Sequence, residues 1–133
     1  MTKQIKLIFI AMVLSSLTIL SSCSTIERGK KLNGQSLEDA PSQSIAHVNA
    51  DIFGYYLFNT VPLITGDPNN PFSTKIFVNT VKPETVVSML TNESKKIGAS
   101  KTTNIKVEME ETGVMTLWIF WYKDAQASGN AIK

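Results

Sequence analysis

Eight consecutive apolar residues, Leu7–Leu14 (LIFIAMVL), follow a short basic start holding Lys3 and Lys6, and they limit what is left to fold. Serines and a threonine interrupt the run before it reaches the roughly 20 residues a membrane-spanning helix needs. A basic start, an apolar centre and small residues before a processing point are the plan of a secretory signal. Residues 1–22 are therefore read as a removed leader, and the fold is expected from the remainder. Two of the 13 lysines and arginines leave with the leader, so 11 remain against 11 acidic residues, and the apparent basicity disappears. A neutral domain without a run of Lys and Arg has no electrostatic footprint for nucleic acid. The single cysteine, Cys23, allows neither an intramolecular disulfide nor a multi-cysteine zinc site.

Cys23 sits where the apolar run gives out. The four residues Leu20-Ser21-Ser22-Cys23 resemble a bacterial lipobox: an aliphatic residue, two small ones, then cysteine. The resemblance implies that the Cys23 sulfur takes a diacylglycerol, that the chain is cut before it, and that the new amine is acylated. Two or three acyl chains anchor stably where one is marginal, at about 0.8 kcal/mol per buried CH₂. Ser24 is not the aspartate that retains such proteins in an inner membrane, so the resemblance implies the outer membrane, facing the periplasm. The alternative is an uncleaved signal anchor with an incidental cysteine.

Residues 23–44 are polar, with few large apolar side chains and no sustained period, and are expected to form a lipid-anchored flexible tether. A short docked helix near Leu37–Ala40 is the alternative. From Ile45 to Lys133 the chain reads as one domain. Its β-branched and aromatic content predicts strands over 45–51 and 53–64, with a turn or bulge at Asp51–Gly54. Gly66–Pro71 is a loop by its Gly, Pro and Asn content; a calcium site at Asp67 with Asn69 and Asn70 fits no ligand spacing, and turn chemistry is the better reading.

A helix is predicted from Pro83. Pro83 suits the first helical position, Glu84 the first turn, and Lys95 and Lys96 the last, while Gly98 stands where a left-handed cap belongs. Val86, Met89, Leu90 and Ile97 form its apolar stripe. Next, Ile105, Val107 and Met109 alternate with Lys106, Glu108 and Glu110, a strand with one wet face. Thr112-Gly113 is read as the turn into a strand over 114–123, and 125–133 as a closing strand. The expectation is an α+β fold: an antiparallel sheet of about five strands in the order β-β-α-β-β-β, one helix on one face.

No metal or cofactor set emerges. His47 is the only histidine, and Asp51, four residues on along a strand, would lie roughly 13 Å away, too far for one metal or a proton relay. Glu108, Glu110 and Glu111 read as a solvated face. The aromatic strands carry apolar residues on both faces, and one helix covers only one. Either the 65–82 loop covers the second face, with Phe72, Ile76 and Phe77 as plugs, or that face meets a partner, a second copy or an apolar ligand through Trp118, Phe120 and Tyr122.

Gly98-Ala99 after the helix and Ser128-Gly129-Asn130-Ala131 in the closing strand resemble small uncharacterised bacterial envelope lipoproteins over residues 84–133. The core of the stress-sensing lipoprotein of the Rcs phosphorelay is distantly similar, although its paired cysteines have no counterpart here. The resemblance implies a fold and a location and carries no catalytic residues. The expectation is a non-enzymatic, lipid-anchored binding or assembly module, with an envelope protein or self-association as its partner. A small-molecule or lipid-binding module using the aromatic face is the alternative.

Overall fold

The computed structural model describes residues 23–29, 31–32, 35–36, 44–114 and 118–133. The leader with Leu20, Ser21 and Ser22, and the alternative helix near Leu37–Ala40, lie outside these residues. Eight strands and one helix are described: β1 (Ser24–Gly29), β2 (Lys31–Leu32), β3 (Gln35–Ser36), β4 (Ser44–Leu57), β5 (Val61–Gly66), β6 (Thr74–Ile76), α1 (Pro83–Lys96), β7 (Lys101–Val114) and β8 (Phe120–Ile132). Six of the strands make one antiparallel sheet in the order β6-β5-β4-β8-β7, with β1 also paired to β4; β2 and β3 pair separately.

This overturns the expected α+β sandwich of about five strands in the order β-β-α-β-β-β: the fold is predominantly β, with one helix among the described residues. The cause lies in strand length. Asp51–Gly54 is no turn; β4 runs unbroken through it for 14 residues. Gly54 is needed there because a Cβ would lie 2.6 Å from Thr65 Cγ2. The reversal comes instead at Phe58-Asn59, both with positive φ, closed by the Thr60 N–H donating to the Leu57 carbonyl at 3.2 Å. Both central residues of that turn are left-handed, the geometry a two-residue hairpin favours and one that Phe seldom signals. Likewise β7 continues through Thr112-Gly113, and the stretches read as two strands over 114–123 and 125–133 are largely one, β8.

Part of the expected tether is also a strand. Ser24–Gly29 pairs with β4 from Ser24 opposite Ile52 to Gly29 opposite His47, while β5 takes the rest of that edge, from Gly54 to Leu57. β5 and β1 thus lie end to end along β4. Cys23 is at the join: its carbonyl accepts the Phe53 N–H at 2.9 Å. A Cβ on Gly66 would come within 2.4 Å of the Cys23 oxygen, so only glycine lets the two ends meet. Arg28 then pairs with the buried Glu93 of α1, which also holds Lys96 at 3.3 Å. An edge strand held by a backbone ladder and an ion pair needs little apolar content, so its sequence looks like a linker.

α1 forms where its stripe predicts. Its end is a Schellman motif: Gly98 (φ +88) donates to the Lys95 carbonyl and Ala99 to that of Ser94, each at 3.0 Å. Val86, Met89 and Leu90 are buried against alternate residues of β4 (Ala46, Val48, Ala50, Ile52) and the small ladder Ala125, Ala127 and Ala131 of β8. Small residues let the helix sit close; a Cβ on Gly129 would lie 3.3 Å from Leu90 Cδ2. Val107 and Met109 face the same way, opposite Ala127 and Ala125, with Lys106, Glu108 and Glu110 on the other face. Ile105, Val107 and Met109 are exposed as well, so the expected half-buried strand is wet on both faces.

Gly66→Ala should lower stability by about 1–3 kcal/mol through overpacking at the join. In hydrogen exchange it should speed the Phe53 amide selectively, while amides of α1 change only with global stability. Unchanged Phe53 protection would contradict the docking of Cys23.

Candidate functional site

Period 2 along β4 and β8 sorts their side chains between the helix and the opposite face. On that second face β4 presents His47, Asn49, Asp51, Phe53 and Tyr55, and β8 presents Tyr122, Asp124, Gln126, Ser128 and Asn130. The face is graded, polar at the β1 end and aromatic at the other, rather than apolar throughout. Its side chains stay half-exposed along β4 while their neighbours in sequence are buried. The 65–82 loop does not plug it: Phe72 is 90% exposed, and Ile76 and Phe77 are also largely in solvent.

The aromatic end is a packed triad. Phe53, Tyr55 and Tyr122 have ring centroids 5.5–6.3 Å apart, with edge and tilted contacts that suit aromatic quadrupoles. Trp118, Phe120 and Tyr122, expected as one surface, do not share a face. Trp118 takes a positive φ at the hairpin end and stacks on Trp121, 5.6 Å between centroids, whose Nε1 donates to the Trp118 carbonyl. Trp121 packs against the core beneath the helix side. Phe120 and Tyr122 lie on the other face, opposite Leu57 and Tyr55.

Beside the triad, Asp51 and Asp124 converge from neighbouring strands. The Gln126 side-chain amide donates to Asp124 Oδ2 at 2.9 Å and reaches Asp51 Oδ2 at 3.5 Å. The Oδ1 atoms of both carboxyls are buried without a hydrogen-bond partner. Burial, the charge of Asp124, a hydrogen bond to Asp124 and Glu27 of β1 push Asp51 up to about 6. Burial, then Asp124 and Asp51, push the Tyr122 phenol up to about 12. The negative field is therefore focused where the aromatic platform begins. Sequence reading weighed Asp51 only against His47 and did not pair it with Asp124, because each fell at a break between expected strands. Their phase with Tyr55 and Tyr122 was the available signal.

The remaining candidates are structural in geometry. His47 Nδ1 and Asn130 Oδ1, cross-strand partners, are hydrogen-bonded at 2.8 Å. Asp67 organises its loop, accepting from the Asn69 N–H and Ser73 Oγ at 3.0 Å each and pairing with Lys75 at 2.9 Å. The Lys75 contact leads in holding its carboxyl below the usual range, and the backbone of Asn69 adds to it. Among the described residues no group of three His, Cys, Asp or Glu is placed to hold a metal ion. Cys23 is buried, and burial raises its thiol, the opposite of what a nucleophile needs. Among the described residues no helix is long and apolar enough to cross a membrane. No family model, curated protein or solved structure matches the chain.

Asp51 sets a pH dependence with a definite sign. Its folded value lies above its ordinary 3.8, so its contribution is fully present below about pH 4 and is lost as pH rises through about 6. Asp67 and Glu111, held low by Lys75 and Lys123, lose their contributions only below the ordinary carboxylate range. Between pH 7 and pH 5 the wild type should therefore gain stability, by about 1 kcal/mol or less after discounting for partial exposure. Thermal melts of Asp51→Asn should be flat over that window. A wild type that loses stability from pH 7 to 5 would refute the assignment.

Proposed function

We propose that this chain is a lipid-anchored bacterial envelope protein, a non-enzymatic binding or assembly module held at the membrane through Cys23 and facing the periplasm. The observation that carries the reading is Leu20-Ser21-Ser22-Cys23 at the end of an apolar run that follows Lys3 and Lys6. Ser24 in the second mature position favours the outer membrane. Support for a binding role comes from the second sheet face, where the Phe53, Tyr55 and Tyr122 rings adjoin two aspartates that no described lysine or arginine contacts. Tyrosine is among the residues that protein contacts favour at their centres. An envelope protein or a second copy of the chain is the partner in this reading.

Growth with labelled palmitate should mark the wild-type chain and leave Cys23→Ala unlabelled; label on both would sink the lipid anchor. For the docking face, the lipidated protein captured from crosslinked envelopes should recover partners that a Tyr55/Tyr122 double alanine variant loses by about tenfold. Equal recovery, with the variant's melting temperature intact, would remove that face from the proposal.

A further inference from the structure

We propose that the edge of the sheet at β6, with Phe72, Ile76, Phe77 and Val78, lies directly on the lipid bilayer as a second contact beside the attachment at Cys23. The proposal rests on the reading that Cys23 is where the chain meets the membrane, and it holds whether acyl chains or an uncut apolar segment reach the bilayer there. What decides it is the absence of slack. Cys23 itself is hydrogen-bonded into the sheet through Phe53, and Gly66 abuts it, with room for no side chain between. Gly66 in turn pairs with Thr74 of β6. Strands lie about 4.8 Å apart, so the attachment point is within roughly 10 Å of the β6 backbone. The Ser24 hydroxyl donates to the Asp67 carbonyl, and the loop that Asp67 opens borders β1, with Pro71 and Phe72 facing Ile26 and Lys96 across an open groove of about 430 Å³.

A membrane reached at Cys23 therefore also reaches this edge, and the residues there suit it. Phe72 is 90% exposed, Phe77 70%, Ile76 63% and Val78 47%. Single exposed apolar side chains are ordinary, but four within seven residues beside the anchor are not. Phe77 also holds a left-handed backbone (φ 57) while its ring faces solvent, so the folded chain alone gives it little return. The core does not need these rings, and Lys75 among them is already paired with Asp67. Aromatic and aliphatic side chains at the headgroup boundary gain by burial there. Because Cys23 makes the second contact intramolecular, even weak insertion is populated.

Lipidation blocks Cys23, so Phe77→Cys in the full lipidated protein offers one reactive thiol for a fluorophore. Reconstituted in phosphatidylethanolamine–phosphatidylglycerol vesicles, that label should be quenched at least twofold by shallow nitroxide lipids. The same label at Glu108→Cys, on the far side of the sheet, should be unaffected. Adding Phe72→Ser and Ile76→Ser should reduce quenching at position 77 while the protein still floats with the vesicles. Flotation with an unquenched label at 77 would overturn the bilayer contact and leave the anchor standing, as expected if a second copy or another protein covered the edge. Failure to float would overturn the anchor and this proposal with it.

Discussion

The hydrogen bond from the Phe53 N–H to the Cys23 carbonyl ties Cys23 into the sheet. It works only because Gly66 has no side chain, so the end of β5 and the start of β1 share one edge of β4. A single 14-residue strand is thereby paired along nearly its whole outer edge by two short strands distant in sequence. Each short strand alone buries few apolar groups and would be marginal. Together they cover backbone donors and acceptors that would otherwise template pairing with another chain.

Docking β1 would also turn the proposed anchor into an orientation. A polar linker of some twenty residues would let a domain tumble above the bilayer; a strand that begins at Ser24 does not. The Arg28–Glu93 ion pair links that strand to α1, so Cys23, the sheet edge and the helix are joined in one body. If Cys23 is the attachment point proposed above, the second face, with its aromatic triad and its paired aspartates, would be presented at a fixed angle to the membrane. Asp51 and Asp124 are a local cost to the fold at neutral pH, since two carboxyls with unpartnered buried oxygens repel until one is protonated. Retaining such a pair beside exposed rings fits a face shaped for contact rather than for stability.

The elements legible in the sequence are those whose signals are local. Pro83, the Val86–Met89–Leu90 stripe and Gly98 define α1 without help from the rest of the chain, and the Lys106–Glu110 alternation sorts the two faces of β7 but not their burial, since both are exposed. What is not legible depends on partners far away. Ser24–Gly29 is a strand because β4 and Glu93 are beside it, and nothing within those six residues says so. Asp51, Gly54 and Gly113 read as breaks by residue type, yet pairing on both sides carries β4 and β8 through their whole length, and β7 to Val114. Those false breaks hid the candidate site, because they separated Asp51 from Phe53 and Asp124 from Tyr122.

The central claim is that the residues following Cys23 belong to the sheet, as β1 paired with β4. Cysteine crosslinking in register tests it most directly, using the lipidated chain in membranes. Glu27 and Asn49 are Cα partners in the β1–β4 ladder, whereas Glu27 and Phe53 are four residues out of register. The account predicts that Glu27→Cys with Asn49→Cys forms a disulfide in high yield and that Glu27→Cys with Phe53→Cys does not. Equal yields from the two pairs, or none from either, would mean that β1 is a free tether and would contradict the account.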